Sequence, residues 1–389
     1  MTPIPERSNT TAQAIVKWWG KKPQGNRPHL GASQIGKSCS RALWYSFRWA
    51  KTPAFEGRML RLFDRGNLEE TRFVDELRAI GVEVWDLDPD TNKQIRIEAV
   101  NGHFAGSCDG VAKGLPEAPK TAAVLEFKTH GDKSFTTLES KGVQAAKPEH
   151  YAQVQVYMKF LELDRALYLA VNKNTDALYS EWVKFDADAA DRLVAKAEAI
   201  INATTPPERM SDDRDFFECR WCDFKDLCHG QAVAEVNCRT CCHASPVENA
   251  SWRCENHNRI IAEKVQREAC DDHIYIPPLI PFALPIDGGN GSITYQVKGA
   301  DRTFTNSATP GHYKSREIRL LDPSLLGDKM IEDVKTIFGG EITAGNSIAE
   351  MPDDLEAVYA EDKSPAGKKA KKEIEKNKAS IAALKEMKP

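Results

Sequence analysis

Asp109, Glu126 and Lys128 are residue types that, brought to one point, could hydrolyse a phosphodiester. Glu126-Phe127-Lys128 lies in VLEFKT, residues 124–129, which reads as a strand. Side chains two apart on a strand share a face, so Glu126 and Lys128 project together while Phe127 packs behind them. Asp109 precedes Glu126 by 16 intervening residues, in GSCDG, where Gly106 and Gly110 permit a tight strand end that brings its carboxylate alongside. Two converging carboxylates make a hard-oxygen site suited to Mg²⁺ or Mn²⁺, ions that keep waters for chemistry. A neighbouring ammonium can orient the attacking water and offset charge building on the phosphate. An E-x-K strand by itself also describes many solvated faces that carry an ion pair.

Downstream, PEHYAQVQVYM reads as a buried helix and places Gln153 and Tyr157 four apart on one face. A glutamine in such a helix needs a polar partner, either within the core or in the site itself.

This order of elements, GxxDG, then ExK on a strand, then Q-x3-Y on a helix, resembles the RecB-type branch of the PD-(D/E)xK nucleases, whose core is similar to that of lambda exonuclease. The resemblance covers roughly residues 31–230. It implies an α/β, restriction-endonuclease-like core with a mixed central sheet flanked by helices. It also implies Asp109 and Glu126 as Mg²⁺ or Mn²⁺ ligands, Lys128 as the catalytic lysine, and Gln153 with Tyr157 shaping the site. Family members commonly carry an upstream G-H-x-x-E-like helix. Here that segment reads Arg65-Gly66-Asn67-Leu68-Glu69-Glu70, with Asn67 in place of the histidine, which moves the expected third metal ligand to Glu70.

Ten cysteines are many for a chain in a reducing compartment, where clusters favour metal over disulfide. Cys39, Cys219, Cys222 and Cys228 could hold a cubane iron–sulfur cluster or a tetrahedral zinc. One cysteine before the nuclease core and three after it resembles the iron–sulfur subgroup of RecB-type nucleases, which implies a structural [4Fe–4S] cluster. A second set, Cys238-x2-Cys241 followed by Cys254-x2-His257, has the spacing of a small zinc ribbon, with Cys242 and His243 as rival ligands. Cys108 and Cys270 read as packing residues.

The elements that must position these groups are legible in part. Helical spacing runs from about Ser40 to Trp49 and from Met59 to Ile80, where Gly81 stops it. Short strands follow from Val82 to Ala112, with Asn101-Gly102 as a hairpin turn. ALYLAVN and ALYSEWVKF flank a turn at residues 173–176, and Asp186 or Asp188 caps a helix reaching Asn202. The expected organisation is a basic arm over 1–30, a nuclease domain over 31–235, a zinc-ribbon-like module over 236–272, an unassigned domain over 273–350 and a charged tail over 351–389, helical or disordered.

Composition is ordinary for a globular protein, with 41% hydrophobic and 28% charged residues. Residues 1–55 carry nine Lys/Arg against one acid, Glu6, so this segment is +8 and the remainder of a −4 chain is −12. Such a local basic surface attracts phosphates; the alternative is a solvated arm. Lys17, Lys21, Lys22 and Arg41 are the expected DNA contacts. With no secretion signal and no apolar run long enough to span a bilayer, the reading is a cytoplasmic protein, in the bacterial host cytoplasm if phage-encoded. DNA is the expected partner, with a recombination or single-strand-binding protein as a further one and no membrane. The function that follows is a metal-dependent DNA exonuclease of recombination, repair or phage DNA processing. A catalytically weak DNA-binding module or nuclease inhibitor on the same fold would be expected to lack active-site groups, and an iron–sulfur electron-transfer protein would leave the acids and lysine without a task.

Overall fold

The computed structural model describes residues 9–343; the tail read over 351–389 lies outside the described residues. By contacts the chain divides into two units, Met1–Glu341 and Ile342–Pro389. The first unit is a mixed α/β structure of several sheets and helices, and its elements follow in chain order. Helix α1 (Thr10–Gly20) and strand β1 (Leu30–Gly31) precede helices α2 (Ser40–Phe47) and α3 (Gly57–Ala79). Strands β2 (Glu83–Trp85), β3 (Arg96–Ala99), β4 (Phe104–Ser107), β5 (Gly110–Leu115) and β6 (Ala118–His130) come next. Helices α4 (Asp132–Ala146) and α5 (Pro148–Phe160), strands β7 (Arg165–Asn172) and β8 (Leu178–Lys184), and helix α6 (Ala187–Asn202) complete the central body.

The main sheet has the order β2-β5-β6-β7-β8, with β6 and β7 parallel and the other pairs antiparallel. The single parallel pair requires a crossover, which α4 and α5 supply. Alternation along β6 then assigns the faces. Ala123, Leu125 and Phe127 join Phe73, Val74 and Leu77 of α3 in one core, where the Phe73 and Phe127 rings stack at 5.1 Å. Glu126 and Lys128 are directed to the opposite face, toward α5. A smaller sheet, β1-β4-β3, abuts this face and contains the hairpin turn at Val100–Gly102, which adopts positive φ as Asn-Gly predicts. Asp186 caps α6 by accepting the Ala189 N–H at 3.0 Å.

The arm expected over residues 1–30 is in part helical. Helix α1 packs on the start of α3, and Gly57 makes this possible: a Cβ there would lie 1.9 Å from the Val16 carbonyl oxygen. Contact with α3 supports a segment whose polar composition reads as a loop, although no residue of α1 is buried.

Two short helices, α7 (Phe217–Arg220) and α8 (Lys225–His229), follow the central body. The ribbon β9 (Ala244–Pro246), β10 (Trp252–Cys254) and β11 (Arg259–Ile261) leads to helix α9 (Glu263–Glu268). The ribbon docks through two buried arginines. Arg48 donates to the Arg239 and Ala244 carbonyls, while the Arg239 guanidinium stacks 3.6 Å from the Trp49 ring centre and donates to Phe47 O. The segment that sequence left unassigned after residue 273 forms an antiparallel sheet, β12 (Ala283–Gly289), β13 (Ser292–Val297) and β14 (Thr303–Ser307), with helices α10 (Ser315–Leu320) and α11 (Lys329–Phe338). Among the described residues no helix is long and apolar enough to cross a membrane.

Candidate active site

Asp109 sits in the link between β4 and β5, and its Oδ2 accepts the Phe127 N–H of β6 at 2.6 Å. That bond ties the aspartate to the backbone between Glu126 and Lys128. Gly106 lets β4 approach closely enough: a Cβ there would meet the Ala32 Cβ at 2.7 Å and the Tyr157 ring at 3.0 Å. Tyr157 in turn donates to Ser107 O at 2.7 Å and receives the Gln153 amide at 3.2 Å. Gln153 and Tyr157 are therefore a hydrogen-bonded buttress beneath the Asp109 turn.

Glu126 is fully buried, and neither carboxylate oxygen accepts an aligned hydrogen bond from a described residue. Its ion-pair partner is the Lys128 ammonium, which remains 24% exposed. Burial pushes Glu126 up to about 8, Lys128 opposes this, and Asp109 and Glu70 add to it. Glu70, on α3, is raised to about 7 by burial and by Asp109. Asp109 is also raised by burial, against Lys128 and the Phe127 N–H. For Lys128, burial acts downward, but Glu126, Asp109 and Glu70 together lift the ammonium above its ordinary value. Three carboxyl groups thus converge on one ammonium, and burial resists their ionisation.

The cleft beside this cluster has a volume of about 320 Å³ and is lined by Glu69, Glu70, Lys128, His130, Lys147 and His150 among others. His130 and His150 were absent from the sequence reading. Both bond the Tyr168 hydroxyl, at 2.9 and 2.8 Å, and Lys147 reaches Ser134, which bonds His130. Burial, and then neighbouring lysines, lower His130 to about 4; burial, lysines and His130 lower His150 to about 3, so both are neutral at neutral pH. The signal was present: His130 continues the Glu126, Lys128 alternation, and His150 shares the helical face of Gln153 and Tyr157.

Of the other residues read from sequence, Lys17, Lys21 and Lys22 lie on or just beyond α1, with Lys22 Nζ 3.4 Å from the Trp19 ring centre. Arg41, on α2, bonds the Tyr45 hydroxyl and Pro207 O, each at 2.8 Å. Cys39, at the start of α2, is brought to Cys219, Cys222 and Cys228 of the α7–α8 segment, where burial and the neighbouring thiols raise Cys219 and Cys222. Cys238, Cys241 and Cys254 line one cavity in the ribbon. His257 stands at that cavity's exposed edge, and Cys270, read from sequence as a packing residue, faces the cavity as well.

No family model matches the chain, and no curated protein matches it. Solved structures are similar in part. SSO0001 is 14% identical with a TM-score of 0.35, over 56% of this chain and 96% of that one. An alkaline exonuclease, LHK-Exo from Laribacter hongkongensis, is 16% identical with a TM-score of 0.31, over 47% of this chain and 90% of its own. LHK-Exo in complex with dAMP gives 14% and 0.32, over 48% and 90%. Likeness this distant leaves the chemistry to be argued from the residues themselves.

The raised carboxylates predict a pH dependence of stability. A folded-state pKa above the ordinary 4.5 means that the native protein keeps protons the unfolded chain has released. Stability from Glu126 and Glu70 is therefore full below about 4.5 and is lost as pH rises toward about 8. In buffer free of divalent cations, the melting temperature should fall between pH 5 and 8, and Mg²⁺ should restore it most at the alkaline end. A melting temperature that is level or rising across that window would mean the carboxylates are not held as described.

Proposed function

We propose that this protein is a divalent-metal-dependent deoxyribonuclease that degrades DNA from its ends, in recombination, repair or phage DNA processing. The observation that carries the reading is Glu126, a fully buried carboxylate without aligned hydrogen bonds, converging with Asp109 and Glu70 beside Lys128. The one ammonium of Lys128 does not balance three converging carboxylates, so the donor set fits a hard divalent ion. Glu70, Asp109 and Glu126 would hold Mg²⁺ or Mn²⁺. When bound, that ion supplies Lewis acidity toward a phosphate oxygen and lowers the pKa of water.

The chain's own groups do the remaining work. Lys128 stays protonated at the open side of the cluster, placed to donate to a phosphate oxygen and offset charge as water adds to phosphorus and the ester oxygen leaves with a proton. The Gln153–Tyr157–Ser107 bonds hold the Asp109 turn in register. Neutral His130 and His150 offer hydrogen bonds in the cleft without competing for the cation by charge. Lys17, Lys21 and Lys22 contact the DNA backbone. Cys39, Cys219, Cys222 and Cys228 hold a structural [4Fe–4S] cluster that ties the start of the domain to its end.

The test is digestion of end-labelled linear DNA and closed circular DNA, with Mg²⁺ or Mn²⁺ omitted and restored. Linear DNA should shorten from its ends only with the ion present, and circles should persist. Cleavage without the ion, or none with either ion, would overturn the nuclease reading. Equal cleavage of circles would overturn its end dependence.

A further inference from the structure

Four cysteines, rather than three, line one cavity in the ribbon: Cys238, Cys241, Cys254 and Cys270. Cys238 and Cys241 flank a tight turn, with the Cys241 N–H bonded to Cys238 O at 3.1 Å. The β9–β10 pairing sets Cys254 opposite Ala244 and so over that turn. Cys270 returns from the far side of α9. The reversal occurs at Ala269, whose φ of +57° is a left-handed conformation that costs a residue with a Cβ ~1 kcal/mol or more. Helix α9 lies against the same turn, with Val265 O 3.8 Å from Cys238 Sγ.

The four thiols influence one another. Cys238 is pushed up to about 12, first by burial and then by Cys241, Cys270 and Cys254. Cys270 is raised by burial and also by Cys241 and Cys254. The Cys242 thiol and burial raise Cys241, and backbone N–H groups of His243 and Ile274 directed at its sulfur only partly oppose that. Soft sulfur donors around one cavity select zinc over a hard ion.

His257 is differently engaged. Its Nε2 lies 3.1 Å from the Asp272 carboxylate and 3.6 Å from Cys270 Sγ. An ionised carboxylate only accepts, so Nε2 carries the proton and has no lone pair to give a metal. We propose that Cys238, Cys241, Cys254 and Cys270 hold a tetrahedral zinc ion, and that His257 is a positioning residue, donating through Nε2 to Asp272 while its ring lies beside Cys270. Asp272 thereby orients the imidazole against one wall of the site. The rival set is His257, Cys270 and Asp272, whose ligand atoms lie within 4.8 Å of one another.

Metal content and thiol reactivity of the full chain decide between them. Cys270→Ser should lose one equivalent of zinc relative to wild type, whereas His257→Asn and Asp272→Asn should retain it and release it faster to a chelator. In native wild type, Cys270 should alkylate at least ~10-fold more slowly than exposed Cys242, and chelation should remove the difference. Cobalt substituted into wild type should show thiolate charge-transfer bands of four-sulfur intensity, a readout that stands even if Cys270→Ser fails to fold. Zinc retained in Cys270→Ser, zinc lost from His257→Asn or Asp272→Asn, a three-sulfur cobalt spectrum, or no metal in this site would each overturn the assignment.

Discussion

Glu126→Gln is expected to reduce DNA cleavage by ~10³-fold or more, the upper range for removing one group that acts at the transition state, while DNA binding changes little. The substitution keeps the shape of the side chain and removes the charge. A purely structural carboxylate would be expected to lose stability along with activity. This one should do the opposite: without divalent cations, Glu126→Gln should melt higher than wild type at pH 8, because the buried charge raised to about 8 is gone. The difference should shrink toward pH 5, where wild-type Glu126 is protonated. An increase on the order of a few degrees is the scale to look for, since ~1 kcal/mol moves a domain of 150–250 residues by roughly 2–4 °C. Activity near wild type would place the chemistry elsewhere. Lost activity accompanied by lower stability at pH 8 would assign Glu126 to the scaffold.

Cys39→Ser is expected to have the largest effect on stability. Anaerobically prepared wild type should be brown and contain about four irons per chain in this cluster. The variant should lose both the colour and the iron. Cys39 lies at the start of α2, whereas Cys219, Cys222 and Cys228 lie beyond α6, so a cluster held by all four would close a loop of roughly 180 residues. By the chain-entropy argument for cross-links, closing so long a loop is worth up to ~5 kcal/mol. The thiol site of the ribbon shares none of these ligands and should keep its metal. Colourless wild type with one zinc in this position would replace the cluster with a zinc staple. Iron kept in full by Cys39→Ser would remove Cys39 from the ligand set.

The sequence by itself determined the elements whose side chains repeat with a clear period. The strand bearing Glu126 and Lys128, the hairpin at Val100–Gly102, the cap at Asp186 and the buried helix of Gln153 and Tyr157 all lie where their spacing places them, because each signal is local. Strand alternation also contained His130, and the face of α5 contained His150, although neither was drawn from the pattern. The tertiary structure decided what depends on segments distant in the chain. It sets Glu70 of α3 against Asp109 and Lys128, contacts that no i, i+4 rule reports. It turns α1 from a polar arm into a helix lying against α3, since Gly57 sits more than 35 residues from the helix it admits. It brings Cys270 back to Cys238 through a strained Ala269 and a short helix, a return that ligand spacing alone does not encode. The charge states of the site are likewise a tertiary property: Glu126 and His150 have ordinary side chains, and it is burial among particular neighbours that raises one and lowers the other.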